Sequence, residues 1–215
     1  TTAAAGAQGF PGFQPSNVLS RDRGNIGLYL DLESRLTERF SASAAIRYED
    51  YSDFGSTTTG KLAARYELSD GFAIRGAAST GFRAPALQQQ FFTTTSTNFI
   101  IVNGVSTPVE VGTFPATSAV AKVLGAKPLE AEKSNNYSAG LVFHRGPFEL
   151  TVDAYQIKID NRIVLSENIQ GSATGTATAT AIYNLLAPFN VTAARFFLNG
   201  VDTKTKRVDV VARYR

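Results

Sequence analysis

Apolar and polar residues alternate with a period of two in several segments of the chain. In residues 25–33 the even positions are all Ile or Leu, whereas the odd positions are polar apart from Gly27 and Tyr29. Residues 40–48 and 61–68 repeat this alternation. Successive side chains of a strand point to opposite faces of a sheet. The pattern therefore predicts an all-β protein whose sheet has one apolar face and one charged face.

We predict about seven strands, separated by connections of two kinds. Short connections at residues 35–39, 69–71 and 145–147 alternate with longer ones at residues 52–57, 84–132 and 166–194. This alternation is typical of bacterial outer-membrane barrels, whose periplasmic turns are short and whose outer loops are long. A soluble β-sandwich more often has evenly spaced short strands. We therefore favour an antiparallel transmembrane β-barrel segment with long outer loops.

This interpretation divides the chain into six segments. They are an outer loop (1–23), two barrel hairpins (24–83), a long outer loop (84–132), a third barrel hairpin (133–165), a second long outer loop (166–194) and a last barrel strand (195–215). In the first long loop we predict a short helix after Pro85 and irregular structure beyond it, with a small hairpin near 102–105. In the second, residues 180–186 are predicted to be helical.

Beyond Gln156 the apolar residues change parity to Ile157, Ile159 and Ile163. A shift of one residue moves every following side chain to the other face of a sheet. We therefore predict either a β-bulge at this point or the place where the strand leaves the bilayer.

A membrane barrel exposes apolar side chains to lipid and directs polar side chains into its lumen. We expect six residues to face lipid, namely Ile26, Leu28, Leu30, Ile46, Leu62 and Ile74. We expect ten charged residues to face the lumen or a plug inside it, namely Arg47, Glu49, Lys61, Arg65, Glu67, Arg75, Asp153, Arg207, Asp209 and Arg213. Such a charged wall holds a plug and guides a polar substrate. The alternative is general hydration of the lumen with cross-strand pairing.

Composition and motifs argue against several classes of function. No run of residues is long and apolar enough for a membrane-spanning helix. The chain has no cysteine, so a thiolate metal site is excluded. Its net charge of +3 comes without a basic tract, so a nucleic-acid partner is not expected. We find no catalytic motif, and the one histidine, His144, lies beside a short turn. We expect no enzyme, cofactor or bound metal, although Asp50 and Asp53 lie together in a loop without EF-hand spacing.

Two of the longer connections carry residues suited to ligand contact. The candidates are Tyr51 and Phe54 in one loop and Arg83, Gln88, Gln89, Gln90, Phe91 and Phe92 in the next. Aromatic rings with amide and guanidinium donors suit a flat, oxygen-rich ligand such as a siderophore or a sugar. The alternative is that Phe91 and Phe92 pack the loop against the barrel rim.

Four segments of the sequence resemble the TonB-dependent outer-membrane receptors, and they occur in the same order. They are residues 51–55 (YSDFG), 81–87 (GFRAPAL), 128–137 (PLEAEKSNNY) and 202–209 (DTKTKRVD). Two positions differ from the pattern of that family, with Ala131 where Pro is usual and Arg207 where Gly is common. The resemblance covers most of the chain.

The resemblance implies a bacterial outer-membrane active transporter for a scarce nutrient, with a barrel of 22 strands, an N-terminal plug and opening by the protein TonB. It makes a ferric-siderophore complex the default substrate, whereas the residues leave a saccharide or cobalamin open. About seven strands do not close such a barrel. We therefore expect a C-terminal-half segment of a longer receptor, whose other part supplies the plug, the remaining strands and the contact with TonB. The alternatives are a passive porin-like or structural barrel and a soluble β-sandwich adhesin or binding module.

Overall fold

The computed structural model describes residues 17–102 and 105–215. The strands described there are β1 (Asn25–Arg35), β2 (Phe40–Tyr51), β3 (Gly55–Ser69), β4 (Phe72–Arg83), β5 (Thr94–Val102), β6 (Val105–Thr113), β7 (Glu132–Arg145), β8 (Phe148–Leu165), β9 (Ile169–Gln170), β10 (Ala193–Arg195) and β11 (Phe197–Tyr214). The helices are α1 (Leu87–Phe91), α2 (Ala119–Val123) and α3 (Ala177–Leu186). The described chain is thus dominated by strands, as the alternation predicts.

Seven long strands of the described chain form one sheet in the order β1-β2-β3-β4-β7-β8-β11. Each pair from β1 to β8 is antiparallel, and each strand follows its neighbour in the sequence apart from the long connection between β4 and β7. Gly71 and Gly146 have φ angles of +80° and +57°, a left-handed backbone that closes the two short turns with little strain. The prediction of about seven strands in an antiparallel sheet is confirmed.

The strand register brings the apolar residues of neighbouring strands to the same face. Leu30 lies opposite Ile46, and Leu62 lies opposite Ala44 on the other side of β2. Residues directly opposite each other in an antiparallel pair share a face. We call this side the apolar face. The opposite side, which carries the charged residues of the same strands, is the polar face.

Side chains on the apolar face are not covered by other described residues. Ile26, Leu28, Leu30 and Leu62 are between 56% and 73% exposed. The prediction of a sheet with one apolar and one charged face is therefore correct. A soluble sandwich would place a second sheet against the apolar face, and the described residues provide none there.

The chain folds into two compact units. The sheet unit comprises Arg23–Ala84, Ala131–Arg162 and Val201–Arg215, and the loop unit comprises the described residues of Pro85–Glu130 and Ile163–Gly200 together with residues 17–22. Residues 1–16 of the predicted first loop and residues 103–104 of the predicted small hairpin lie outside the described part of the chain.

The loop unit has its own small sheet and core. β5 and β6 form an antiparallel hairpin, β10 pairs in parallel with β6, and β9 pairs with the other side of β10. One core cluster combines residues of both long connections, namely Phe114, Val120, Ala121, Leu186, Val191, Ala194 and Phe196. No helix of the described chain combines the length and apolar character that a membrane crossing requires.

Two sequence predictions need correction. The hairpin predicted near residues 102–105 is present, but the residues after Phe92 are not irregular, because β5 and β6 pair from Val102 and Val105 back to Thr94 and Thr113. A β-bulge just beyond Gln156 is also wrong, since the pairing of β7 with β8 continues without a shift to Lys133 and Asp160. The irregularity lies at Asn161, whose φ is +59° and whose backbone N–H donates to Oδ1 of Asp202 at 2.9 Å.

Candidate functional site

An aromatic cluster of Tyr51, Phe54 and Phe82 lies where β2 turns into β3. Gly55 has a φ of +89°, which favours glycine and allows the tight turn after Phe54. The rings of Tyr51 and Phe54 stack with their centroids 4.6 Å apart. The ring of Phe82 lies edge-on to Tyr51 at 5.9 Å and is tilted against Phe54 at 6.5 Å. The structure thus brings together two predicted ligand-contact residues, Tyr51 and Phe54.

Arg23 packs against this aromatic cluster. Its guanidinium carbon lies 5.7 Å from the ring centre of Tyr51 and 5.4 Å from that of Phe54, within the range of cation–π attraction. The same guanidinium donates to both carboxylate oxygens of Asp53 at distances between 2.6 and 3.0 Å. A bidentate pair of this kind fixes orientation as well as distance. Arg23 therefore holds the turn and its aromatic rings in one arrangement.

The backbone before β1 adds two hydrogen bonds to the same turn. The N–H of Gly24 donates to Oγ of Ser52, and the N–H of Ser52 donates to the carbonyl of Gly24, both at 3.1 Å. Asp53 is engaged with Arg23, and the described residues contain no group of three or more His, Asp or Glu side chains placed to hold a metal ion. Sequence reasoning missed Arg23 because its contact partners lie about thirty residues away along the chain.

Arg83 ends β4 and forms an ion pair with Glu132, which begins β7. The two residues lie directly opposite each other in the register. The side chain of Arg83 is 58% exposed, whereas that of Glu132 is only 7% exposed. The buried carboxylate therefore orients the guanidinium while leaving much of its surface accessible.

Gln89 and Gln90 are engaged with the start of α1. Oε1 of Gln89 accepts a hydrogen bond from the backbone N–H of Ala86 at 3.0 Å. Nε2 of Gln90 donates to the carbonyl of Pro85 at 3.4 Å. The amide of Gln89 therefore satisfies one backbone N–H that a helix start leaves without an intrahelical partner, and the amide of Gln90 ties the helix to the preceding Pro85.

The other predicted contact residues of α1 differ in accessibility. The guanidinium of Arg21 lies 5.4 Å from the ring centre of Phe91. Gln88 and Phe92 are exposed, whereas Phe91 is half-buried. All of them belong to the loop unit, while Tyr51, Phe54 and Arg83 belong to the sheet unit. The predicted contact residues thus form two separate groups, one in each unit.

Most of the predicted lumen residues lie on the polar face and pair with each other. Nη2 of Arg47 donates to Oε1 of Glu49 at 2.8 Å, and Nη1 of Arg65 donates to Oε1 of Glu67 at 2.6 Å. The hydroxyl of Tyr51 also donates to Glu49, at 3.2 Å. This pattern supports cross-strand and same-strand pairing as one role for these charges.

Arg75 and Asp153 form a bidentate ion pair across an intervening strand. The guanidinium of Arg75 on β4 donates to both carboxylate oxygens of Asp153 on β8 at 3.0 and 2.6 Å. Between them, β7 contributes Gly140, which lies opposite both residues. A Cβ at Gly140 would lie 2.0 Å from Oδ1 of Asp153. Glycine is therefore required here for the pair to form.

The same pair resolves a conflict between like charges. Arg75 lies directly opposite Arg65 in the register of β3 and β4. Two cations in that position repel each other. Arg65 pairs along its own strand with Glu67, while Arg75 turns the other way to Asp153. A shallow cavity of about 290 Å³ on the polar face is lined in part by Arg65, Arg75 and Asp153, together with Lys61.

The register places all six predicted lipid-facing residues on the apolar face. It also places seven of the ten predicted lumen residues on the polar face, namely Arg47, Glu49, Lys61, Arg65, Glu67, Arg75 and Asp153. The other three, Arg207, Asp209 and Arg213, alternate with valine and alanine along β11. Which side of the sheet contacts lipid remains a prediction.

Solved structures of siderophore receptors share this fold. The siderophore receptor PirA from Pseudomonas aeruginosa superposes with a TM-score of 0.67 at 18% identity, over 91% of this chain and 32% of that one. The ferric enterobactin receptor PfeA from the same species, solved in complex with enterobactin, gives a TM-score of 0.63 at 12% identity, over 87% of this chain and 24% of that one. The sheet thus has the fold of a segment of these solved structures.

The sequence places the chain within a family. Residues 1–208 match the family described as TonB dependent receptor-like, beta-barrel, and the chain belongs to that family. The ferric enterobactin receptor PirA from Pseudomonas aeruginosa is 25% identical over 150 residues, which are 69% of this chain and 19% of PirA. The chain therefore spans only about a fifth of the length of this curated relative.

Proposed function

We propose that this chain forms part of the barrel of a TonB-dependent outer-membrane receptor that imports a ferric-siderophore complex. The observation that carries the proposal is the family match over residues 1–208. Relatives in this family include proteins named as siderophore and ferric enterobactin receptors. They are transport receptors, and transport rather than catalysis is the role proposed for this chain.

The two faces of the sheet support a place in the outer membrane. Large exposed apolar patches on a protein mark a surface that contacts lipid or another molecule. The apolar face presents Leu28, Leu30 and Leu62 in neighbouring strands, all more than half exposed. We assign lipid as their partner and the polar face to the lumen, which in this class of barrel is plugged.

The accessible polar and aromatic groups support capture of an anionic, oxygen-rich chelate. Arg83 offers an oriented guanidinium, and Tyr51 and Phe54 offer stacked rings within the same unit. Charge-assisted hydrogen bonds from arginine are strong and directional toward oxygen anions. A chelator supplies its own iron ligands, so this role requires no metal-binding side chains of the protein.

The remaining parts of the transporter belong to the longer receptor. Both outer strands of the sheet, β1 and β11, lack a neighbour on one side within the described chain. Open sheet edges pair readily with further strands. We assign them to the remaining barrel strands, and we assign the plug and the contact with TonB to the other part of that receptor.

Uptake of radioactive iron by cells tests this function. A strain lacking its own siderophore receptors would express the full-length receptor and be given ⁵⁵Fe bound to enterobactin or to a hydroxamate chelator. We expect uptake of at least one chelate, and we expect that uptake to disappear when TonB is deleted. Uptake that continues without TonB would support a passive barrel instead, and absence of uptake for every chelate would contradict the siderophore proposal.

Arg83 provides a sharper version of the same assay. Arg83→Ala removes the accessible guanidinium and should raise the concentration of chelate needed for half-maximal uptake by about tenfold, the effect of roughly 1.4 kcal/mol of lost binding. Arg145→Ala, at the far end of β7, the strand that Glu132 begins, is the matched control and should leave uptake unchanged. Equal effects of the two substitutions would remove Arg83 from the proposed contact site.

A further inference from the structure

The two long connections are separate in sequence but share one hydrophobic core. Phe114 and Val120 come from the first connection, while Leu186 and Ala194 come from the second. Leu186 and Ala194 have no exposed surface. Each connection alone would leave half of this core in water, which is unfavourable in proportion to the apolar area exposed. The core therefore forms only when both connections are folded together.

Backbone pairing joins the same two connections. Val111 and Ala193 are partners in the parallel pair of β6 and β10, although 82 residues separate them. The N–H of Phe114 donates to the carbonyl of Arg195 at 2.9 Å, and the N–H of Thr192 donates to the carbonyl of Glu110 at 3.0 Å. Isolated loops that only touch would not share a ladder of this kind.

The pairing extends to the strand that follows α1. Thr94, the first residue of β5, lies opposite Thr113 of β6, and Arg195 of β10 lies on the other side of Thr113. Nε of Arg195 donates to Oγ1 of Thr113 at 2.9 Å. Helix α1 ends at Phe91, only three residues before Thr94. The second connection thus supports the β-hairpin from which the ligand-contact candidates of α1 extend.

We propose that the second long connection is the positioning element of the first, and that the two act as one rigid part when the receptor captures its ligand. The part of this inference that concerns ligand capture rests on the proposed function. The part that concerns joint folding of the two connections does not. Residues such as Leu186 and Arg195 would then govern ligand binding through α1 without touching the ligand. Gln88 and Phe92 would depend on the folding of residues about one hundred positions further along the chain.

Limited trypsin digestion of the full-length receptor in outer-membrane vesicles tests, without any ligand, whether the first connection depends on the second for its folding. Lys122 in the first connection is an exposed trypsin site, but α2 must open before cleavage after Lys122. Leu186→Asp in the second connection should increase the rate of cleavage after Lys122 by about tenfold or more, because cleavage follows the population of the open form. Ala181→Asp, an exposed position of the same helix α3, is the matched control and should leave the rate unchanged.

An unchanged cleavage rate in the Leu186→Asp receptor would show that the first connection folds by itself, and it would overturn the proposal. If Leu186→Asp prevents insertion of the receptor, Leu186→Ala in the same assay should give a smaller increase in the same direction. This digestion remains informative even if the receptor imports no ferric siderophore, so failure of the function and failure of this inference are distinguishable.

A disulfide between the two connections tests whether they move together. The chain contains no cysteine of its own, and Val111→Cys with Ala193→Cys places two thiols at partner positions of adjacent strands. Their separation across neighbouring strands suits a disulfide. We expect ⁵⁵Fe-enterobactin uptake by the oxidised receptor to stay within about twofold of the reduced one, a difference of roughly 0.4 kcal/mol. Loss of uptake on oxidation that reduction restores would show that the connections must separate, and it would overturn the proposal.

Discussion

The sheet unit and the loop unit place their apolar side chains in opposite ways. Every buried apolar residue of the described chain except Ala73 belongs to the loop unit. In the sheet unit, by contrast, the buried set includes the carboxylates of Glu49 and Glu132, while Leu28 and Leu30 are more than half exposed. One unit therefore buries its apolar side chains in a core of its own, and the other buries two carboxylates while its apolar face stays exposed.

This difference shows where each unit obtains its stability. Removal of apolar surface from water is the main favourable contribution to folding. The loop unit achieves it internally, through the core around Leu186. The sheet unit achieves it only when something apolar covers Leu30 and its neighbours, and we assign lipid to that role. The same sequence change should therefore have different effects in the two units.

The largest effect is expected from Leu186→Ala in the loop unit. Leu186 has no exposed surface, so truncation leaves a cavity and should cost about 2–5 kcal/mol. Hydrogen exchange of the β6 and β10 amides in the full-length receptor would measure this loss. Leu30→Ala on the apolar face is the matched change and should cost much less, because lipid chains fill the vacated space. Equal costs at both positions would contradict the comparison.

A charge on the apolar face is expected to have the next largest effect. Leu30→Arg should destabilise the receptor folded in lipid vesicles by about 2–4 kcal/mol if this position lies near the middle of the bilayer. Urea titration of the folded fraction would measure it. Asp31→Arg, one residue away on the polar face and opposite Ala45, is the control and should change stability little. A small effect of Leu30→Arg would refute the assignment of the apolar face to lipid.

Gly140→Ala tests the packing of the polar face. The new Cβ would lie 2.0 Å from Oδ1 of Asp153 and 3.1 Å from Nε of Arg75, so the ion pair must break or move. We expect a cost of about 1–3 kcal/mol, as for other overpacked sites. Gly76→Ala, whose Cβ would lie no closer than 3.5 Å to its nearest neighbour, should be tolerated.

The ion pair itself is tested by combining this change with a second one. In a receptor that already carries Asp153→Ala, Gly140→Ala should cost much less, since the carboxylate that the new Cβ approaches is gone. Urea titration of the four receptors of this double-mutant cycle would give the coupling. Additive costs would show that Gly140 is needed for a reason other than the Arg75–Asp153 pair.

The smallest effect is expected from Asp53→Asn in the turn between β2 and β3. This change weakens the bidentate contact with Arg23 but leaves the aromatic stack of Tyr51 and Phe54. We expect a loss of about 0.5–1 kcal/mol, seen as faster hydrogen exchange in the turn. Asp70→Asn in the turn between β3 and β4 is the control and should have no effect. An effect of similar size at Asp70 would show that the charge of Asp53 acts through long-range electrostatics and not through its direct contact with Arg23.

The strands of the sheet unit were predictable because each carries its own signal. A strand with one polar and one apolar face alternates strictly, as residues 25–33 do. The similar alternation over residues 40–48 indicates the position of β2. The parity change beyond Gln156 was misread because Ile157 and Ile159 stay on the polar face in an unbroken register. Apolar residues near the end of a strand do not by themselves indicate a bulge.

The loop unit was only partly predictable because its order comes from distant contacts. The helices after Pro85 and around residues 180–186 have local signals, and α1 and α3 lie there. Strands of two or three residues, such as β9 and β10, are too short to show a period. The pairing of Val111 with Ala193 depends on the closure of a long connection, which no local pattern reveals.

The residues of the candidate site could be predicted from the sequence, but their spatial arrangement could not. Tyr51, Phe54 and Arg83 were identified from their loops, and the structure supplies their partners Phe82 and Glu132. Those partners come from strands that meet only in the folded sheet. Whether any of these residues contacts a ligand remains a prediction.

Site-directed spin labelling along β1 tests the central claim most directly. A nitroxide would be placed at one position at a time from Ile26 to Leu32, as the sole cysteine of the full-length receptor in lipid bilayers. Collision rates with oxygen, which concentrates in lipid, and with a water-soluble nickel complex would then be measured. We expect oxygen access at Ile26, Leu28, Leu30 and Leu32 and nickel access at Gly27, Tyr29 and Asp31, with a period of two. Equal access to nickel at both sets, or low access to both reagents at the even positions, would contradict a lipid-facing apolar sheet.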